Sequence, residues 1–414
     1  MSASSTPLAA DGPATLAEAF DPRANSIGFL RWLMAFLVIF SHAGPLGGFY
    51  GGHDLGTTIS SEQSLGGVAV AGFFFFSGFL ITKSRMGKST IFRYFWRRGL
   101  RIFPAFWVAL LATGFVLAPI AWIHETGSID GFWNAGTESP LTYFVNNMWL
   151  RLGQRNIAEM GGSLPLATLG GYDWNGSAWT LMYEFRAYIL VGVMGLFGLF
   201  AHRYLASAVA VAIILLNAMT WSGIGNLSTI NQALGNYFNA MFLAPFAFGM
   251  LFALWSDRIR IDDRLAVFGI AVALVTYDVG GWNVYGQYGF CYFLMWIAIR
   301  ATKLKNWEKF GDLSYGIYIF AWPVMQFGAF FHLQDRGWLV YHLSVVVVVH
   351  ILAYASWHLI EKPAMSLKNW TPRPLERALD RLKPASDAVK RRLVNPRFSS
   401  SHFARGLRSK EAAK

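Results

Sequence analysis

A succession of apolar stretches, each close to the length that crosses a bilayer, constrains this chain more than any other feature. A helix needs about 20 consecutive apolar residues to cross the hydrocarbon core. Of the 414 residues, 54% are hydrophobic and 14% are charged, and the mean hydropathy is +0.37. This composition is typical of a polytopic membrane protein. We predict an all-α membrane fold with ten spans, at 27–47, 66–83, 100–121, 178–200, 205–224, 236–255, 264–281, 285–302, 312–332 and 339–360.

The basic residues predict how the chain is oriented in the membrane. If the N-terminus is cytoplasmic, the cytoplasmic segments hold 30 of the 35 Lys and Arg residues. The outer segments then hold three, Arg151, Arg155 and Arg336. An excess of Lys and Arg on the cytoplasmic side is the general rule for membrane proteins. We therefore expect ten spans with both termini in the cytoplasm.

The net charge of +12 is concentrated near the C-terminus. Residues 362–414 hold 14 basic and 4 acidic residues, so +10 of the +12 lies there. This distribution does not indicate a nucleic-acid-binding protein, and we expect a basic cytoplasmic tail at 364–414 that can lie on anionic lipid. Residues 1–24 are expected to be a disordered cytoplasmic segment. They do not resemble a signal peptide, because no basic stretch precedes an apolar run. The membrane domain between them is 25–363.

Two ionisable residues lie inside the first predicted span. Arg31 and His42 are eleven positions apart, which at ~100° and ~1.5 Å per residue places them on nearly the same helix face, ~16 Å apart along the axis. Ionisable groups inside a span are costly and usually mark function. The alternative is that Arg31 reaches the headgroups and that His42 is a hydrogen-bonded interfacial residue.

A basic cluster precedes the third predicted span. In the stretch RYFWRRGLRIFP, Arg93, Arg97 and Arg101 recur every four residues, and Arg98 lies three residues before Arg101. On a helix these guanidinium groups line one side, and arginine forms paired hydrogen bonds to phosphate. The alternative is that the cluster anchors the protein to anionic lipid.

A carboxyl group follows the one long outer segment. Residues 122–177 have no clear secondary structure in the sequence, and a loop of this length is often functional. Glu184 then falls a turn or two inside the fourth span, with Thr180 and Tyr188 one turn away on either side. A buried Glu needs a partner or a proton. The alternative is a structural hydrogen bond between helices.

Five separate motifs, in order along the chain, resemble those of the acyltransferase family 3 membrane proteins. They are Arg31-x10-His42, FFFFSGFLI, RRGLRIFP, NGSAWTLMYEF, and LSYGIYIFAWP together with IEKP. The similarity extends over 25–363. It implies transfer of an acyl group, usually acetyl, from cytoplasmic acyl-CoA to a hydroxyl of a glycan or lipid-linked saccharide, in the cytoplasmic membrane of a bacterium. We expect a stand-alone membrane domain, without the esterase-like domain that is fused to some members.

The resemblance also implies roles for individual residues. His42 would be the catalytic base with Arg31 as its partner, and we include Glu184 in the same catalytic set. Acyl-CoA, as a co-substrate, would contact Arg97, Arg98 and Arg101; neither a metal nor a permanently bound cofactor is expected. Candidate substrate contacts are Trp179, Tyr183, Asn175, Ser77 and Tyr315.

In two places the sequence departs from the family pattern. Ala71 stands where many members have an acidic residue, and Ala321 stands where many have a histidine. These departures question any second acid or base at either position.

Three other interpretations remain open. A glycolipid or polysaccharide transporter or flippase would also have many spans, but it would be expected to show inverted repeats, and we identify none. A non-catalytic membrane subunit would be expected to lack His42. The thiol of Cys291 is a possible covalent relay, although a lone cysteine in an apolar run is usually inert.

Overall fold

Each predicted span overlaps a helix in the computed structural model. The structure describes residues 13–370 except 61, 88, 170, 223–236 and 306. Within these residues the chain is helical, without named strands. The helices that correspond to the predicted spans are α1 (Ile27–Gly47), α2 (Leu65–Met86), α3 (Ile91–Ala112), α4 (Trp179–Leu196), α5 (Arg203–Trp221), α6 (Tyr237–Leu254), α7 (Asp263–Val279), α8 (Gln287–Arg300), α9 (Ser314–Phe330) and α10 (Trp338–Ser356).

The all-helical prediction is confirmed for the described residues, and a multi-pass membrane protein is supported. Five helical stretches are long and apolar enough to cross a bilayer: Ile27–Gly47, Leu65–Met86, Ile91–Thr126, Arg203–Trp221 and Trp338–Asn369. The remaining labelled helices have 14 to 18 residues. The count of ten spans stays a prediction.

Two groups of residues identify the two ends of the bundle. We call the face that holds Arg31 and Arg101 the arginine end, and the face that holds 118–177 the loop end. Both outer parts of the described chain lie at the arginine end. The Ser26 hydroxyl donates to the Ala301 carbonyl (2.6 Å), and the indole N–H of Trp96 donates to the Leu367 carbonyl (2.9 Å). The common side of the two termini and the number of crossings stay predictions.

Part of the segment expected to be disordered, 1–24, is packed on the bundle. Leu16 is fully buried, and its backbone N–H donates to the Ile259 carbonyl (2.7 Å). Thr15 and Glu18 form a capping box that starts the short helix Leu16–Ala19. The segment is ordered here because the apolar side chain of Leu16 is buried on the bundle beside Ile259, which is far along the chain. Most of the predicted basic tail, 371–414, lies outside the described residues.

Helices α2 and α6 make the closest packing in the bundle. A side chain at Gly78 of α2 would overlap the backbone carbonyl of Phe246 in α6. Small residues allow two membrane helices to approach this closely. Helix α2 also packs against α1, α4 and α8, while α9 lies between α1 and α10. The candidate site described below lies among α1, α2, α4 and α9.

The structure corrects two predictions around α3. The helix begins at Ile91, nine residues before the predicted span, because Thr90 caps it by accepting from the Arg93 backbone N–H (3.3 Å). The prediction that 122–177 lacks secondary structure is also wrong. This segment contains the helices Pro140–Asn147 and Pro165–Thr168 and turns of 3-10 helix, and Trp174 within it is fully buried.

Candidate active site

A cavity of about 280 Å³ lies at the loop end of the bundle, and His42 is in its wall. The imidazole packs edge-on against the ring of Trp322, with the ring centroids 4.6 Å apart. Trp322 is itself held by a hydrogen bond from its indole N–H to the Asp173 carbonyl (2.8 Å). The Nδ1 atom of His42 is buried and has no hydrogen-bond partner among the described residues. The interfacial alternative predicted a hydrogen-bonded imidazole, and Nδ1 makes no such bond here; the catalytic role of His42 stays a prediction.

The loop between α1 and α2 brings a carboxylate to the same cavity. One oxygen of Asp54, Oδ1, accepts from the backbone N–H groups of Gly56 (2.6 Å) and Leu65 (2.8 Å). The other oxygen, Oδ2, accepts from the hydroxyl of Ser41, the residue before His42. Asp54 belongs to no motif, and the sequence analysis missed it. A carboxylate a few residues after an intramembrane histidine is the only signal that could have found it.

A second, narrower cavity of about 40 Å³ adjoins the first towards the arginine end. The two share Val70, Thr180 and Tyr318 in their walls, and the hydroxyls of Thr180 and Tyr318 are hydrogen-bonded to each other (2.5 Å). Arg31 and Glu184 both line the narrower cavity. The structure therefore brings the three predicted catalytic residues to two adjoining cavities, with Arg31 and His42 in different ones.

Glu184 is a hydrogen-bond acceptor between helices. Its Oε1 accepts from the hydroxyls of Ser77 (2.9 Å) in α2 and Tyr188 (2.5 Å) in α4. These contacts fit the structural alternative, while the position beside the narrower cavity leaves the carboxylate within reach of a substrate. Ser77, predicted as a substrate contact, thus acts on Glu184 in this structure.

A buried ionic network lies at the arginine end. Asp312 accepts through Oδ2 from both Arg31 (2.8 Å) and Arg101 (2.5 Å), and Arg101 also donates to Glu361 (3.3 Å). Burial alone would raise the pKa of Asp312, but Arg101 and Arg31 outweigh it and hold this pKa well below its usual range. Arg31 is therefore paired with Asp312, a residue that the sequence analysis did not single out.

The other arginines of the cluster have different surroundings. Arg98 lies over the rings of Tyr94 (6.0 Å) and Tyr188 (5.8 Å), and Arg85 lies over Tyr94 (5.8 Å) from the end of α2. Neither has a carboxylate within ion-pair distance in the described part of the chain, and the same holds for Arg93. The Nε atoms of all three are buried without a hydrogen-bond partner there. The cluster therefore has positive charge available for an anion.

Arg97, a predicted acyl-CoA contact, lies at the surface of this cluster. Its guanidinium donates to the Lys368 carbonyl (3.3 Å) and to the Asn369 side chain (3.0 Å). It therefore attaches the start of the C-terminal segment to α3.

The predicted substrate contacts divide between cavity walls and supporting positions. Trp179 lines the His42 cavity, and Tyr315 lines the narrower one while donating to the Ile102 carbonyl (2.7 Å). Asn175 donates to the Ile319 carbonyl (3.2 Å), and Tyr183 is buried with its ring 5.7 Å from that of Trp179. Asn175 and Tyr183 therefore support the wall from behind.

Cys291, the possible covalent relay, is remote from this wall. It is fully buried in α8 and lines neither cavity. The relay hypothesis gains no support from its position.

A third, polar cavity of about 490 Å³ opens at the loop end within 137–172. Its wall includes Glu138, Arg155 and Tyr172, together with amide side chains, and the Tyr172 hydroxyl is buried without a described partner. Arg155 is paired with Asp173 (3.0 Å), the residue whose carbonyl holds Trp322 against His42. Asp173 therefore contacts both Arg155 in the wall of this pocket and the Trp322 ring in the wall of the His42 cavity.

Comparison with known proteins agrees with this architecture. The family profile described as an acyltransferase domain matches residues 25–358. The chain is 27% identical over 350 residues to the O-acetyl transferase of Shigella phage Sf6, covering 82% of this chain and 96% of the relative. It is 27% identical over 368 residues to Nodulation protein 10 of Rhizobium leguminosarum bv. viciae, covering 83% and 94%.

A third relative matches a smaller part of the chain. Acyltransferase MdmB of Streptomyces mycarofaciens is 30% identical over 156 residues, covering 31% of this chain and 40% of the relative. No solved structure matches. Because the family profile spans most of the chain, including His42 and the residues around both cavities, the protein belongs to the acyltransferase family 3 of membrane proteins.

Proposed function

We propose that this membrane acyltransferase moves an acetyl group from cytoplasmic acetyl-CoA, bound at the arginine end, to a hydroxyl of a saccharide that enters at the loop end. The observation that carries the proposal is the position of His42, whose buried Nδ1 lies unpaired beside a cavity that adjoins the one lined by Arg31. The name of the phage relative, O-acetyl transferase, supports acetyl as the transferred group.

His42 would act as the general base. The imidazole takes the proton from the acceptor hydroxyl while the hydroxyl oxygen attacks the thioester carbonyl carbon. The carbon–sulfur bond then breaks, and the proton passes from the imidazolium to the departing CoA sulfur. A positioned base of this kind contributes ~10²–10⁴ in rate.

The arginine end suits the polyanionic part of acyl-CoA. Arg98 and its neighbours Arg85 and Arg93 have no carboxylate partner in the described chain, and guanidinium groups bind phosphates by paired charge-assisted hydrogen bonds. We therefore assign the phosphate contacts to Arg98 in the first place. Arg101, already paired with Asp312 and Glu361, supports the wall of the site.

The loop end suits the acceptor. The polar pocket within 137–172 presents amide, carboxylate and guanidinium groups, which hydrogen-bond saccharide hydroxyls, and Trp179 offers a ring in the wall of the His42 cavity. With this arrangement the donor and the acceptor approach His42 from opposite ends of the bundle. The excess of basic residues in the segments at the arginine end supports a cytoplasmic location for that end.

The test is hydrolysis or transfer of the acetyl group of radiolabelled acetyl-CoA by the purified full-length protein. We expect His42→Ala to lose ~10²–10⁴-fold of the activity, the range that a general base supplies. His342→Ala is the matched control, because His342 also lies in a membrane helix but lines neither cavity. A wild-type protein that consumes no acetyl-CoA with any saccharide acceptor would instead favour a transporter, and a fully active His42→Ala would remove His42 as the base.

A further inference from the structure

We propose that Asp54 is the positioning residue of His42: its carboxylate stabilises the positive charge that the imidazole acquires on taking the acceptor proton. This inference rests on the proposed function, in which His42 is the base. Arg31, the residue expected from the sequence to be the partner of His42, lines the neighbouring cavity and is paired with Asp312. Asp54 is the charged side chain that lines the His42 cavity within the described residues.

The Asp54 carboxylate is fixed in orientation at the cavity wall. Its Oδ1 accepts two backbone N–H bonds, from Gly56 and Leu65, so the group cannot rotate without losing both. The Ser41 hydroxyl fixes the second oxygen, and Ser41 is itself buried. A carboxylate held by three donors is preorganised, and it needs no rearrangement when charge develops nearby.

The segment that carries Asp54 is pressed against α1 close to His42. A side chain at Gly44 would overlap the carbonyl oxygen of His53, so the backbone of the loop lies directly on the last turn of α1. This contact sets the distance between the loop and the helix. Asp54 therefore has a defined position relative to His42, in the wall of the same cavity.

Few other charged or titratable groups face this pair. Helix α9 contributes the Tyr318 hydroxyl, which is hydrogen-bonded to Thr180 and to the Ser177 carbonyl. Helix α7 contributes Tyr277, which approaches the Asp54 loop at Gly56. The residues of α2, α4 and α6 that line the cavity are uncharged.

The physical argument follows from this environment. Placing a positive charge on an enclosed imidazole is costly unless an opposite charge lies nearby. A carboxylate that orients a histidine and stabilises its imidazolium gives the same benefit in serine hydrolases, where removing its charge lowers kcat by up to ~10⁴. Asp54 can serve in this way without exchanging a proton itself.

The decisive variant is Asp54→Asn, which keeps the side-chain size and removes the charge. In acetyl-CoA hydrolysis by the purified full-length protein, with water as the acceptor, we expect kcat to fall at least tenfold while the KM for acetyl-CoA changes less than about twofold. The acidic limb of the kcat/KM profile should also move to lower pH, because a nearby carboxylate favours the protonated imidazole. Asp335→Asn is the control, since Asp335 is an exposed loop-end carboxylate paired with His332.

The outcomes separate this inference from the proposed function. A normal kcat and pH profile in Asp54→Asn, with His42→Ala inactive, would overturn the role of Asp54 alone. A raised KM with unchanged kcat would overturn it too. If Asp54→Asn does not yield folded protein by gel filtration, Ser41→Ala replaces it, because it frees Oδ2 and retains the loop. A loss in kcat of about three- to tenfold is then expected, and wild-type kcat would overturn the proposal.

Discussion

The ionic network at the arginine end allows a sharp test of which arginines hold the fold. Asp312→Asn keeps the size of the side chain but leaves Arg31 without its ion-pair partner and Arg101 with Glu361 only. Removing one partner of a buried ion pair typically costs ~3–5 kcal/mol. The side chains of Arg31 and Asp312 are 25% and 15% exposed, so water can partly solvate the orphaned charge. We therefore expect a loss of ~3 kcal/mol in the free energy of unfolding, at the lower end of that range.

The chain offers a matched control for this experiment. Asp257 also pairs with an arginine, Arg203, at 3.0 Å, but the two side chains are 51% and 33% exposed. Exposed pairs contribute about 0–1 kcal/mol, so Asp257→Asn should change stability by no more than that. The free energy of unfolding of each variant is measured by denaturant titration in detergent micelles. If Asp312→Asn loses no more stability than Asp257→Asn, the network does not stabilise the fold and our reasoning is refuted.

The ion pairs of Asp312 also lead to a prediction about pH. The pKa of Asp312 is held well below its usual range by Arg101 and Arg31, against the opposing effect of burial. A carboxyl with a lowered folded-state pKa provides stability that is present above its ordinary pKa and is lost only as the pH falls through the lowered value. Asp312 itself should therefore add no pH dependence to the difference between the wild type and Asp312→Asn from about pH 5 to pH 8, and any gradual change in that range is expected from Glu361, the other partner of Arg101. A difference that disappears within this range would contradict the assigned pairing.

Two further predictions follow from the site. Arg98→Ala should raise the KM for acetyl-CoA, and Arg98→Lys should restore only part of the affinity because it lacks the planar fork; an unchanged KM in both would return the cluster to lipid anchoring. Arg155→Ala, at the polar pocket of the loop end, should raise the KM for the saccharide acceptor and leave acetyl-CoA hydrolysis intact, and a loss of hydrolysis would show that the pocket acts on the fold instead.

The fold could be predicted from the sequence where it depends on local composition. The length of the apolar runs predicted ten spans, and each of them overlaps a helix of the structure. The prediction works because a helix needs about 20 apolar residues to cross a bilayer. The start of α3 was missed because its first two turns are basic and aromatic, and hydropathy does not register a helix there. The packing of Leu16 on Ile259 could not be found, since it joins positions that no local pattern connects.

The candidate site could be predicted only in part, because some of its contacts join residues that no local pattern connects. His42, Arg31 and Glu184 stand out because ionisable residues are rare within apolar spans. Asp312 is the first residue of the predicted ninth span and precedes helix α9 in the structure, and its contact with Arg31 joins residues 281 positions apart. Asp54 is ordinary in sequence. Helix geometry already separated Arg31 from His42 by ~16 Å, so a partner for His42 had to come from another element.

The two arginines of the RRGLRIFP motif differ for a reason that the motif alone does not contain. Arg98 and Arg101 are three residues apart, so on an α-helix their side chains point ~60° apart around the axis. Arg98 therefore lies over the ring of Tyr188 and has no carboxylate within ion-pair distance among the described residues, whereas Arg101 is paired with Asp312 and Glu361. One motif thus contributes Arg98, which has no carboxylate partner among the described residues, and Arg101, which is paired with two carboxylates. We expect Arg101→Ala to lower the yield of folded protein, and Arg98→Ala to leave that yield unchanged.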